Sequence, residues 1–447
     1  MSSNGFVAPE LSVVFLIPVK IADNLEEAET FSKIIDRIEK NSDALVQYCI
    51  PAEADEKGDT SLTDDLRVFQ DCDVEYFDES YLKLKRFCRL DLKDRKLTAK
   101  RKDESQTALV KPYLTIFDVG IAVYTFWIHG LRNMNKTEII DFCFINRFQV
   151  SVDDESETTL LAFFKKEINQ LLRPKHEINE QDLLENHLCM LFVKDVPFQL
   201  SQNQKKSLVL PNAFIEKFRN DIFDIITLPE RYFGVSYDYH KSRTPDFIEH
   251  VLTNLSVRND FPVYLFDNRF LGIKIQTEKP DYGFHKRIIF NIVLYTNIVL
   301  QLLLLKEINE TLMKTVKNIK NVTMGRLIKI RQAIYRYLEE YINTSVQRYE
   351  IWKKAVEDAA RQVGIPDLYH AVEERLDMLN SYMNTSFQRQ SNIWFVIMNT
   401  TFFFSTVFVY LDFITRRGAM LSELLIILAL GILWAIAIGV YYSRYMR

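Results

Sequence analysis

The hydrophobic pattern is strongest toward the end of the chain. Residues 393–411 (IWFVIMNTTFFFSTVFVYL) and 424–442 (LLIILALGILWAIAIGVYY) are two runs of 19 residues without a charge, joined by DFITRRGAMLSE. As a helix each run is roughly 28 Å long, close to the hydrocarbon thickness of a bilayer. Apolar side chains occur all round both helices, whereas a surface helix confines them to one stripe. The runs therefore predict a transmembrane hairpin, and everything upstream a large soluble body.

That body alternates in period. Residues 11–19 (LSVVFLIPV) read as a buried strand, and 25–41 have the spacing of an amphipathic helix. Residues 51–65 are polar and loop-like, and the charged stretch 93–106 (KDRKLTAKRKDESQ) reads as a solvated hairpin or loop rather than a basic ligand patch. Residues 113–128 (YLTIFDVGIAVYTFWI) are β-branched and aromatic, interrupted at Asp118 and Gly120, which predicts two central strands around a tight bend. Helices are expected at 158–172, 180–186, 211–226 and 245–255, the last capped by Thr244, with strands at 187–196 and 232–239 and a hairpin at 261–275.

From His285 the pattern becomes helical. The first helix, 285–320, contains the uncharged run 288–305, in which Asn291, Tyr295, Thr296, Asn297 and Gln301 lie on several faces. Polar groups on several faces favour burial in protein over a third membrane span. Residues 326–364 predict a second long helix, and Gly364-Ile365-Pro366 a stop and restart. The next helix, from near Asp367, meets neither Gly nor Pro before Arg416, a rod of about 50 residues and roughly 75 Å. The fold class read from this order is α+β: an N-terminal mixed α/β domain at 1–284, a long helical neck at 285–391 and a transmembrane hairpin at 392–447.

Composition narrows the function. With 56 basic and 60 acidic residues and a net charge of -4, the chain lacks the basic footprint of direct nucleic-acid binding. The five cysteines are scattered without a CxxC pair, which argues against a disulfide framework and a zinc site. The N-terminus lacks the basic and apolar regions of a secretory signal, so the body is expected in the cytosol. No GxxxxGK[ST], GxGxxG or HExxH motif occurs, and the seven histidines are dispersed. His240 and His250, near Asp238 and Glu249, form only a weak metal pattern. Neither a catalytic residue nor a metal set is expected.

Two spans per chain cannot enclose a water path, so transport requires several chains around an axis. Asn392, Phe395, Asn399, Phe402, Thr406, Val409 and Phe413 alternate three and four residues apart and form one seam of the first span. Rings of Asn399 and Thr406 can contact a partly hydrated ion, while Phe395 and Phe402 can close the path by dewetting. A rival seam is Ser391, Phe395, Met398, Phe402, Ser405, Val409 and Asp412, which sets carboxylates near one mouth. Asn and Thr acting only as interhelical glue is the remaining reading.

The order of an α/β domain, long helices, two spans and a short basic tail resembles the CorA family of divalent-cation transporters. Residues 376–413, LDMLNSYMNTSFQRQSNIWFVIMNTTFFFSTVFVYLDF, are similar to the family's pre-membrane pattern of a Leu-rich stretch, Arg, Asn and an apolar helix. By that alignment Asn392 matches the family's Asn at the cytosolic pore entrance, and the first seam becomes the pore face. The resemblance implies a homopentamer in a cell inner membrane with both termini in the cytoplasm.

The chain departs from the family at the end of the first span. Arg416-Arg417-Gly418 replaces the family's Gly-Met-Asn, and Val407 stands where the family has Pro. Together with Asp412, Arg416 and Arg417 form the expected pore mouth, and a ring of arginines repels divalent cations. In this the chain resembles CorA-like effectors of type III CRISPR systems, which lack the motif. That likeness implies a ligand-gated antiviral pore, with a nucleotide second messenger as the possible ligand and residues 93–102 or 231–243 as candidate stretches for it. The alternatives are a magnesium-type transporter of altered selectivity and a non-conducting, membrane-anchored interaction protein.

Overall fold

The computed structural model describes residues 6–21, 46–50, 63–77, 87–100, 105–153, 155–172, 178–198, 210–227, 245–255, 260–276, 283–342, 350–417, 429, 431, 432 and 434. In chain order the first elements are β1 (Val7–Lys20), β2 (Val46–Ile50), α1 (Asp64–Tyr76), β3 (Phe87–Asp91), β4 (Arg95–Lys100), β5 (Ser105–Phe117), β6 (Ile121–Asn135) and α2 (Lys136–Cys143). There follow β7 (Gln149–Val152), β8 (Thr158–Thr159), α3 (Leu160–Leu172), α4 (Glu180–Asn186), β9 (Leu188–Val196), α5 (Leu210–Thr227), α6 (Pro245–Val251), β10 (Val263–Phe266) and β11 (Arg269–Ile275). The helical part comprises α7 (Phe284–Lys317), α8 (Met324–Tyr337), α9 (Glu350–Gln362) and α10 (Ile365–Arg417). Two compact units result: Met1–Glu310 with Gln332–His370, and Thr311–Arg331 with Ala371–Arg447.

The first unit is built on one 11-stranded sheet in the order β10-β11-β9-β1-β6-β5-β4-β7-β8, with β3 on the other half of β5 and β2 beyond it. Every pairing is antiparallel except that of β9 with β11. β1 lies between β6 and β9 and is buried on both faces, which explains its unbroken apolar run. The bend expected in 113–128 is the turn between β5 and β6, where Gly120 takes φ 77°. Both strands run longer than their apolar stretch because residues 105–110 of β5 pair with β4. The charged stretch 93–106 supplies β4, whose Leu97 is buried while its neighbours stay polar.

Alternation along the strands separates two apolar faces. One carries Phe15, Leu114, Phe126 and Leu191 into a core with Phe142 of α2, Phe164 of α3 and Ile222 of α5. The other is covered by α1 and α7: Phe69 lies 5.0 Å from Tyr113, and Tyr295 lies 4.9 Å from Phe270. The first unit is thus a three-layer sandwich with the sheet in the middle.

The run 288–305 lies within α7, and 78% of its most apolar window is buried inside the protein. Its polar groups are handled locally: Asn291 and Asn297 donate to the carbonyls of Arg287 and Val293, and Gln301 donates to the Tyr341 carbonyl at 2.9 Å. The helix expected at 326–364 is interrupted. α8 stops at Tyr337 and a π-helical turn follows at Leu338–Ile342, where Tyr341 is buried and bonded to Asp118. The helix expected at 245–255 ends at Val251, because the Asn254 side chain instead accepts from Val263 N and holds the chain against β10. The expected helix 25–41, strand 232–239 and cap Thr244 lie outside the described residues.

In the second unit α10 buries Val372, Leu376, Leu379 and Met383, four and three residues apart, while Leu312, Leu327 and Ile330 are buried on the preceding helices. α10 runs without interruption for 53 residues. Gly364, at φ 75°, ends the preceding helix, so α10 begins at Ile365, two residues before Asp367.

Candidate functional site

Among the described residues two helices are long and apolar enough to cross a membrane, α7 and the 49 residues Ile365–Phe413 of α10. They differ in cover, since the most apolar window of α10 is 0% buried. Along its apolar part the half-buried positions are Ile393, Val396, Asn399, Thr400, Phe403, Val407 and Leu411, a stripe at helical spacing. Phe403 of this stripe lies 5.6 Å from the ring of Trp434, a residue of the second apolar run. Of the predicted second span, residues 429, 431, 432 and 434 are described and the others lie outside the described residues.

The predicted pore residues occupy other faces. Asn392, Phe395, Phe402, Thr406, Val409 and Phe413 are exposed, Phe402 at 76%, whereas Asn399 is half-buried and belongs to the stripe itself. The rival seam is exposed throughout, Asp412 included. The Thr406 hydroxyl donates to the Phe402 carbonyl at 2.9 Å, which leaves its oxygen lone pairs free to face outward. Arg416 and Arg417 are the last helical residues, and their side chains lie outside the described set.

A polar centre that motif reading missed lies in the first unit, on the sheet face under α1 and α7. Lys111 and Trp127 are cross-strand partners on β5 and β6, and Tyr113 and His129 follow two residues on, so all four share a face. Asp65, in the first turn of α1, accepts from Lys111 Nζ at 2.5 Å, Tyr113 Oη at 2.7 Å and Nε2 of His285 at 2.7 Å. His285 is in the first turn of α7, so this carboxylate joins two helix N-termini to the sheet. Burial would raise its pKa, but these donors outweigh burial and hold it well below the usual carboxylate range.

The neighbouring groups are shifted the other way. Burial pushes up the carboxyl of Asp91, which accepts from Thr63 Oγ1 at 2.7 Å, and that of Asp94. Burial, helped by the Lys111 charge, lowers the pKa of His129 and favours its neutral form. The Trp127 ring is 4.8 Å from that of His285 and 5.9 Å from that of His129, and Lys111 Nζ is 5.9 Å from its centre. Trp127 is 2% exposed, and among the described residues neither its Nε1 nor His129 Nε2 has a hydrogen-bond partner. Among the described residues no group of three or more His, Cys, Asp or Glu could hold a metal ion.

Up to 220 positions separate the members of this centre. The sequence signals that point to it are a lysine inside the apolar strand 108–117 and a Trp-x-His pair on one strand face. Compared with known proteins, the chain matches no protein-family model, no curated protein and no solved structure.

Proposed function

We propose that the chain assembles as a CorA-like homopentameric membrane pore, opened when a ligand binds its N-terminal domain. The observation that carries this reading is α10, one unbroken helix whose apolar window has no cover in the protein. An apolar surface of that extent in water marks a lipid or protein contact. A hairpin leaves no room for a path inside one chain, so conduction falls to a ring of copies. Asn399 and Thr406 then offer polar rings that alternate along the path with the aromatic rings of Phe395 and Phe402.

The arginine pair at 416–417 disfavours divalent cations at the mouth, and the pore serves an antiviral response in which loss of the membrane barrier is the output. Flux through purified protein in liposomes tests this. The expected result is ligand-dependent flux that changes in Asn399→Leu and Phe402→Ala. Magnesium-selective flux without any ligand would overturn it in favour of transport, and absence of flux under all conditions in favour of a tether. A type III CRISPR locus beside the gene is the expected context.

A further inference from the structure

We propose that Trp127, His129 and Lys111 form an oxyanion-binding site, one that takes a phosphate or carboxylate group, on the sheet face beneath the N-termini of α1 and α7. The argument begins with two buried ring nitrogens that lack partners, Trp127 Nε1 and His129 Nε2. An indole N–H is a donor only, so whatever satisfies it presents an acceptor. Leaving such a group unmatched in a folded interior is costly, and an interior that keeps two side by side has a use for them.

The surroundings specify the charge of that acceptor. Lys111 carries three donors, of which Asp65 takes one. Asp65 also bonds His285, which brings the N-termini of a 13-residue and a 34-residue helix to one place, each with the positive end of its dipole toward it. The carboxylates are already committed or easily neutralised. Asp65 accepts from three side chains, Asp91 accepts from Thr63, and Asp91 and Asp94 both hold their protons to higher pH than ordinary carboxyls. An entering anion therefore meets the unpartnered indole N–H, a His129 nitrogen that donates in its Nε2–H tautomer or once protonated, one ammonium and acids that accept a proton as it arrives. A cation would meet a donor-only indole and the Lys111 charge.

The site stands whether or not the chain forms a pore, so the two are tested apart. The full chain, labelled with 5-fluorotryptophan in a phosphate-free detergent, is titrated with inorganic phosphate and in parallel with acetate, and followed by fluorine NMR. Trp127→Phe identifies the Trp127 resonance by its absence. A saturable shift of that resonance is expected, and the anion that binds more tightly tells which group the site takes. Binding of acetate, which stays an anion above its own carboxyl range, should tighten as pH falls, because a proton taken up by Asp91, Asp94 or His129 removes negative or adds positive charge beside it.

Isothermal titration of Trp127→Phe should show affinity reduced roughly three- to tenfold, the loss of one neutral hydrogen bond, and Lys111→Met a larger loss. His129→Asn, which keeps a donor, should retain more affinity than His129→Leu. The proposal is overturned if neither anion gives saturable binding, which would leave water as the partner of both nitrogens. It is equally overturned if Trp127→Phe binds as tightly as the unaltered chain, or if acetate binding strengthens as pH rises.

Discussion

Replacing Asp73 by Asn should destabilise the N-terminal domain more than most single changes in it. Arg89 lies on β3 beneath α1, with its Nη2 donating to Asp73 Oδ1 at 2.9 Å and Oδ2 at 3.3 Å and its Nη1 to Thr115 Oγ1 at 2.7 Å. The two charged side chains are 2% and 0% exposed. Phe69 lies under the guanidinium at 4.7 Å, so the cation is held in an apolar bed. At 2.9 Å and an effective dielectric near 20 the attraction is about 6 kcal/mol before desolvation is counted. Removing one partner of a buried ion pair costs about 3–5 kcal/mol.

The amide that replaces the carboxylate still accepts one hydrogen bond, so about 3 kcal/mol, the low end of that range, is expected for Asp73→Asn. Urea unfolding of the detergent-solubilised chain measures it as a shift of midpoint at unchanged slope. The double variant Arg89→Met with Asp73→Leu should recover most of the loss, because apolar groups of similar size pack there without a desolvation cost. A shift under about 1 kcal/mol for Asp73→Asn, or a double variant no better than the single one, would refute the reasoning.

Three further outcomes are expected. His187 is buried with Nδ1 donating to the carbonyls of Leu183 and Leu184, and burial lowers its pKa to about 4. Between pH 6.5 and 4 the unfolded chain binds a proton that the folded chain refuses, so stability present above 6.5 falls by about 3 kcal/mol; His187→Gln should flatten that part of the stability curve. A Cβ at Gly272 would meet Phe261 Cζ at 2.7 Å, so Gly272→Val should cost about 1–3 kcal/mol and Phe261→Leu should return part of it. Burial pushes the Cys72 thiol up to about 12 and that of Cys189 well above the usual thiol range, so mass spectrometry should find iodoacetamide on neither at pH 8 until urea unfolds the chain.

Periodicity located many of the elements because burial writes itself into it. α4, a short helix with one covered side, and the strands of the β5–β6 hairpin, whose apolar run is buried on both faces, could be read directly. The long helix from residue 365 was legible because nothing in it breaks a helix. What stayed hidden depended on partners distant in sequence. The π turn at Leu338–Ile342 is stabilised by Asp118 and Gln301, and α6 stops early because Asn254 bonds β10. The polar centre was hidden for the same reason, since Asp65, Lys111, Trp127 and His285 meet only once the sheet and both covering helices are in place. The single lysine among the apolar residues of β5 was the available hint.

The position of β1 has a consequence for how the chain is made. β1 leaves the ribosome well before its two neighbours, residues 121–135 and 188–196. At 5–20 residues per second, roughly 8–35 s separate the synthesis of β1 from that of β9. Until β6 emerges a strand made to be covered on both faces has no sheet to enter, and until β9 emerges its second backbone edge is open to a wrong partner. Closure of two such distant pairings also makes for slow folding. During synthesis the vulnerable segment of this chain is therefore its first strand, and a chaperone that holds residues 7–20 until β9 emerges should raise the yield of folded protein.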